Sequence, residues 1–357
     1  MTTPEATVPG ALMRREIAEQ PDRWLDLVAH RAAVDEAARF LRELRGAGRL
    51  TGLVFAARGT SDHAATYAQY LSQSLLGLPA ALATPSVATV YGRHVQNPST
   101  CLVAVSQSGA SPDLVATVES ARACGAPTVA FTNDATSPLS RAADLHVPLV
   151  AGPERSVAAT KSYTAELLAL HMWLRAAAGD PPAEVDQEIG DLARHGRVVV
   201  RRSAELAPGL AEGLVSADRA VLIGRAFGAA TAREGALKLM ETSSIAASGW
   251  SAADAKHGPM ASVTPGTPVF CFVGEQAGRE SVQALLPDLY ARGADVHLVG
   301  ADAEQPGLAG ILPAGVADAL LPVLSIVPIQ CLALELALRK GFDPDRPIGL
   351  TKVTRTT

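Results

Sequence analysis

Short apolar runs alternate with helix-length amphipathic stretches along nearly the whole chain, and the order is then used a second time. "LTGLVFAA" leads to "SDHAATYAQYLSQSLLG", "STCLVAVS" to "SPDLVATVESARACG", and "APTVAFT" to "SPLSRAAD". Such alternation predicts βαβ units and a parallel sheet with helices on both faces. Later, "DRAVLIGRAFGAATAREGALKLMETS" leads to "TPVFCFVGEQAGRESVQALLPDLYARGADVHLVGAD", again strand, turn, helix, strand, helix, strand. The two copies overlay as "FAARGTSDHAATYAQYL" on "LIGRAFGAATAREGALKL". The expected fold is therefore α/β, with two tandem doubly wound parallel-sheet domains over residues 30–175 and 200–340. Residues 1–29 read as a helical N-terminal arm, 176–199 as a Gly/Pro-marked linker leading into a helix, and 341–357 as a C-terminal tail.

A chain of 357 residues suits two such domains. Only 4% of residues are aromatic, and 31 Lys and Arg face 36 Asp and Glu with no basic block. A nucleic-acid partner is not expected from that balance. Cys101, Cys124, Cys271 and Cys331 form no CxxC pair, so they read as small core residues of a reducing compartment rather than a zinc site or disulfide framework. The N-terminus has no signal-like apolar segment and no run reads as long enough to span a bilayer, which gives an expectation of a cytoplasmic protein without a membrane partner.

Within "LVAVSQSGASPDLVA" a buried strand runs straight into Ser106, Gln107, Ser108, Gly109 and Ser111 before Pro112 and Asp113 open a helix. In open parallel sheets ligands sit outside the carboxyl ends of strands, where helix N-termini favour an anion. One cap needs one side chain, and this cluster exceeds that need. Its hydroxyls and amide suit a phosphoryl group. No GxxxxGK[ST] or complete GxGxxG with a following acid is present, so a nucleotide is not the expected ligand. The neighbouring turn "RGTSDH" offers Thr60 and Ser61 for sugar hydroxyls or for a plain helix cap. The second copy lacks these hydroxyls and reads as freed for another task.

That task is suggested by "REGALKLMETSSIAASGWSAADAKHGPM". Glu234 and Glu241 stand seven residues apart on one helix face, and His257 follows in a turn. A carboxylate base and a histidine fit aldose–ketose chemistry, in which one group moves a proton between C1 and C2 and another opens the ring.

"RGTSDH", "VSQSGASPD", "NDATSPL", "AATKSYTAE", "EGALKLME", "KHGP" and "PDRPIGLTKVT" together resemble the sugar isomerase (SIS) proteins related to the isomerase half of glutamine:fructose-6-phosphate amidotransferase. The "SDHA", "PSVA", "ATKSY" and "KVT" phrasing is similar to that of SIS-type glucosamine-6-phosphate deaminases. The resemblance implies two flavodoxin-like SIS domains and one phosphosugar site. It assigns Ser106, Gln107, Ser108 and Ser111 to the phosphate, and Thr60 with the loop from Val157 through Ala159 to Lys161 to the sugar. Glu241 becomes the base, His257 the ring-opening group reaching into a neighbour's site in a homodimer, and Lys352 a group beside the reactive carbon. The amidotransferases begin with a catalytic cysteine and a glutaminase domain. Here residue 2 is Thr, and the chain is expected to contain no such domain.

Where the relatives read "IHAEA", this sequence reads "IAASG", with Ala246 and Ser248 in place of a His and a Glu. The expected activity is isomerising deamination of glucosamine 6-phosphate without metal or cofactor. Plain phosphosugar isomerisation, a deglycase and a phosphosugar-sensing protein are the alternatives.

Overall fold

The computed structural model describes residues 8–95, 97–302 and 307–352; the ends of the expected arm and tail, 1–7 and 353–357, lie outside the described residues. In chain order the elements are α1 (Ala11–Ala29), α2 (Ala32–Gly46), β1 (Gly52–Ala56), α3 (Thr60–Leu76), β2 (Ala80–Leu82), α4 (Ser86–Thr89), β3 (Thr100–Ser106), α5 (Pro112–Ala123), β4 (Thr128–Thr132), α6 (Pro138–Ala142), β5 (Leu145–Pro148) and α7 (Lys161–Ala178). There follow α8 (Pro182–Leu214), β6 (Arg219–Gly224), α9 (Gly228–Ser243), β7 (Ala246–Ser251), α10 (Ala252–Ala255), β8 (Pro268–Phe272), α11 (Gln276–Gln283), α12 (Leu286–Ala291), β9 (Asp295–Val299) and α13 (Leu321–Arg339). The chain divides into two compact units. The first unit holds Gln20–Gly152 and Lys161–Arg194; the second holds the stretch up to Glu19, Pro153–Thr160 and His195–Lys352.

The first unit is built on a five-stranded sheet in the order β2-β1-β3-β4-β5, and every pairing is parallel. The second is built on a four-stranded sheet, β7-β6-β8-β9, again wholly parallel. The doubled α/β fold read from the alternation is thus present. In each sheet the chain steps outward from the second strand position in both directions, so the switch points fall between β1 and β3 and between β6 and β8. Helices leaving those two strands diverge there, and a crevice opens at the strands' carboxyl ends.

Burial follows from that layering. β4 is buried along its whole length, and α7 is buried on nearly every face, with Trp173 meeting Phe131 edge-on at 5.4 Å between ring centres. Cys101, Cys271 and Cys331 are core residues whose thiols burial pushes up to about 12; Cys124 is half-buried at the end of α5.

One expectation is corrected. α13 is long and apolar enough to cross a membrane by length and composition, although no such run was expected. Its most apolar window is 89% buried, because the helix packs against α9 and is apolar all round for that reason.

Candidate functional site

At the β1/β3 switch point of the first unit, the chain beyond Ser106 turns tightly before α5. Gly109 has φ +60°, and a Cβ there would lie 2.2 Å from Ser137 Oγ, so only glycine fits. Ser106 Oγ accepts the Gly109 N–H at 3.1 Å, and Ser108 Oγ accepts the Ala110 N–H at 3.3 Å. Each hydroxyl therefore shapes the loop through its oxygen and keeps its proton for donation. The Gln107 carbonyl accepts the Asn133 N–H at 3.1 Å, which pins the loop to the end of β4. Ser111 is the N-cap residue of α5, and its side chain makes no capping bond. Four polar residues thus line one strand end with their functional groups largely uncommitted to the helix.

Across the same switch point, β1 runs into Arg58, Gly59 and Thr60. Gly59 has φ +55°, again in the left-handed region, and Thr60 opens α3. Arg58 Nε donates to Asp113 Oδ2 at 2.8 Å; the aspartate is buried while the arginine side chain is 47% exposed. A guanidinium therefore stands beside the serine loop, held by the first turn of α5. Ser61 is buried and donates to Glu166 Oε1 at 2.7 Å. That bond commits its hydroxyl to Glu166. Lys161, at the start of α7, is also buried.

In the second unit Glu234 and Glu241 do share a face of α9, and Lys238 lies between them. Its Nζ is 3.4 Å from Glu234 Oε1 and 2.5 Å from Glu241 Oε2. Lys238 and Glu234 are wholly buried, whereas the Glu241 side chain is 22% exposed. Burial works to lower the Lys238 pKa, but the two carboxylates and Glu154 outweigh it and hold the ammonium above its ordinary value. Lys238 stays charged, and Glu241 is the member of the group that solvent or a ligand can reach.

Lys352 meets a second buried acid: Nζ lies 3.3 Å from Glu154 Oε2 and donates to the Ser156 carbonyl at 2.7 Å. Glu154 Oε1 in turn accepts the Thr160 N–H at 2.9 Å, which closes the loop carrying Val157 and Ala159, both half-buried. His257 is exposed in the turn after α10, and its backbone N–H bonds Asp254. At the departure from "IHAEA", Ala246 is exposed, and the Ser248 hydroxyl accepts the indole N–H of Trp250 at 3.0 Å.

Sequence reading passed over four groups: Arg58, Glu154, Glu166 and Lys238. Lys238 was open to discovery, since four residues from Glu234 and three from Glu241 is a helical same-face spacing. The pairings of Glu154 with Lys352 and of Ser61 with Glu166 carry no local signal at all.

The model of the SIS domain matches residues 51–176 and 213–306 of the chain. The chain belongs to the SIS family. Among relatives of this SIS-domain protein, the glutamine–fructose-6-phosphate aminotransferase (isomerizing) of Halobacterium salinarum is 35% identical over 358 residues, covering 95% of this chain and 58% of that protein. The chain thus spans little more than half the length of that relative. A structure from Silicibacter pomeroyi assigned as a phosphosugar isomerase is 33% identical with a TM-score of 0.81, covering 94% of this chain and all of that one. The glucosamine-6-phosphate deaminase of Thermotoga maritima shares the fold, with a TM-score of 0.78 at 20% identity over 97% of this chain and 100% of that one.

Proposed function

We propose that this SIS-domain protein is an enzyme of phosphorylated sugars that interconverts aldose and ketose forms, and that its reaction is the isomerising deamination of glucosamine 6-phosphate. The observation that carries the reading is the Glu234–Lys238–Glu241 group: a charged lysine locked between two carboxylates, one of which remains accessible. The serine loop is the phosphoryl anchor, with the hydroxyls of Ser106, Ser108 and Ser111, the Gln107 amide and the nearby Arg58 as donors. Hydrogen bonds to a charged group contribute about 1.5–3 kcal/mol each, enough for a few of them to hold a dianion.

In the proposed reaction His257 assists ring opening, and its exposure suits service to a neighbouring copy in a homodimer. Glu241 takes the proton from C2 of the open aldehyde and returns it to C1, while Lys238 holds the carboxylate in place. The product is the 2-imine, which water hydrolyses to fructose 6-phosphate and ammonia. Lys352, held by Glu154, is in this reading the group that serves beside the reactive carbon. General acid–base groups of this kind contribute about 10²–10⁴-fold each.

The test is incubation with a panel of aldose, ketose and amino-sugar phosphates, following ammonia and ketose together. Ammonia released in step with ketose supports deamination. Ketose without ammonia supports plain isomerisation, and binding without turnover supports a sensor. Glu241→Gln should retain phosphosugar binding while solvent deuterium no longer enters at C2. Exchange at the parent rate would remove Glu241 from the role.

A further inference from the structure

The two sheets allow a residue-by-residue comparison of their switch points. Phe55 pairs with Val103 across β1 and β3, and Leu222 pairs with Phe270 across β6 and β8. Four residues beyond Phe55 and Leu222 stand Gly59 and Ala226, with φ of 55° and 51°, so both turns hold a residue at positive φ at this place although only one has a glycine. Five residues beyond Val103 is Ser108; five beyond Phe270 is Glu275. By the same count Thr60 and Ser61 correspond to Phe227 and Gly228. The second unit therefore carries a glutamate where the first carries a serine of its polar loop.

That glutamate points into the crevice. Its carboxyl meets the backbone N–H groups of Phe227 and Gly228 at the start of the sixteen-residue α9, the latter shared with the Arg225 carbonyl at 3.0 Å, and a Cβ on Gly228 would lie 3.1 Å from its Oε1. Glu275 is only 7% exposed, and its Oε2 is buried with no hydrogen-bond partner among the described residues. Asp318 fills the matching place at the start of α11, accepting the Gln276 and Ala277 N–H groups at 2.8 and 2.9 Å. An ordinary cap sits at the surface and meets water with its second oxygen. Here desolvation and Asp318 push the Glu275 carboxyl well above its ordinary value, against the two N–H groups that pull it down. A side chain held at such a disadvantage is filling a cradle at a helix start that favours an oxyanion.

We infer that the second unit contains an anion site equivalent to the serine loop, closed by the chain's own Glu275 carboxyl in the place of an external oxyanion such as a phosphoryl group. Closure explains why the hydroxyls are missing from this copy: an internal acceptor meets the helix N–H groups, so no external ligand is left to bind. Replacing Glu275 by the residue found in the other half should reopen the site.

The experiment counts inorganic phosphate bound at saturation by equilibrium dialysis, at constant ionic strength in chloride, for the parent chain, Glu275→Ser and Glu275→Gln. Glu275→Ser should bind one phosphate more than the parent, whatever number the parent binds. Failure of the serine-loop reading, which would lower the parent's count, is thereby separate from failure of this one. Glu275→Gln, which still fills the place, should bind the parent's number. A folded Glu275→Ser that gains none, also when combined with Asp318→Asn to remove the facing charge, would overturn the inference. So would a gain in Glu275→Gln. Should Glu275→Ser fail to fold, Glu275→Ala in the presence of phosphate serves instead: its melting temperature should rise with phosphate by more than the parent's, and an equal rise overturns the proposal.

Discussion

Lys238→Met should destabilise the second unit by about 3–5 kcal/mol, because it strips the cation from two carboxylates, one of them wholly buried. At an effective dielectric near 20, a charge pair 3.4 Å apart, the distance to Glu234, attracts by about 5 kcal/mol. Desolvation of the pair offsets much of that gain while both partners are present. Removing one partner leaves the other's desolvation uncompensated, so the loss exceeds the net worth of the pair. Met has nearly the volume of the lysine stem, and cavity effects stay small.

Urea unfolding at neutral pH, followed by far-UV circular dichroism, measures the loss. The decisive arm is a double-mutant cycle with Glu234→Gln: once the carboxylate is neutral, much of the damage from Lys238→Met should disappear, with a coupling of at least about 1 kcal/mol. Coupling within about 0.5 kcal/mol of zero would refute the reasoning. The pH sign is also fixed. A lysine whose folded pKa is raised above 10.5 contributes fully below 10.5 and loses that contribution only as pH rises through the folded value. The Lys238 contribution should therefore be flat from neutral to mildly alkaline pH.

Ser108→Ala should weaken binding of a phosphorylated sugar by roughly 10- to 150-fold, the equivalent of about 1.5–3 kcal/mol, as read by titration calorimetry; unchanged affinity in the Ser106, Ser108 and Ser111 alanine variants alike would leave the loop a set of caps. Gly249→Ala puts a Cβ 2.4 Å from both Ala232 O and Arg233 N, where β7 meets the backbone of α9, and should cost about 3 kcal/mol in thermal unfolding. An unchanged melting temperature would mean that strand and helix lie further apart. His171 is buried in α7, and its pKa is lowered from 6.5 to about 3 by desolvation and by Arg175. A depressed histidine contributes stability above 6.5 that is lost as pH falls toward 3, at up to about 1.4 kcal/mol per pH unit. His171→Gln should thus flatten the decline of unfolding free energy between pH 7 and 4.5, and parallel curves for parent and variant would exclude that role.

The doubled sheet and the serine loop were legible because their causes are local. Alternating periodicity is written into each βα segment, and a loop of four polar side chains needs no distant partner to look unusual. The charged face of α9 was half legible: Glu234 and Glu241 follow from their spacing, while the lysine between them was overlooked. The structure also separates the two members of that pair, since Glu234 is the buried one and Glu241 the one left partly open.

What could not be read are pairings made by tertiary packing. Glu154 lies 198 residues from Lys352, and neither has a neighbour in sequence that marks it. Glu275 is the sharper case. At a strand end before a helix, a lone glutamate looks like a solvated surface residue, and the missing hydroxyls of the second copy look like simple loss. Only when the two strand registers make it the counterpart of Ser108, with its carboxyl at the start of α9, does the loss become a replacement. A duplicated α/β unit inherits two crevices with the same hydrogen-bonding demand, and a copy without an external ligand must meet that demand from its own side chains.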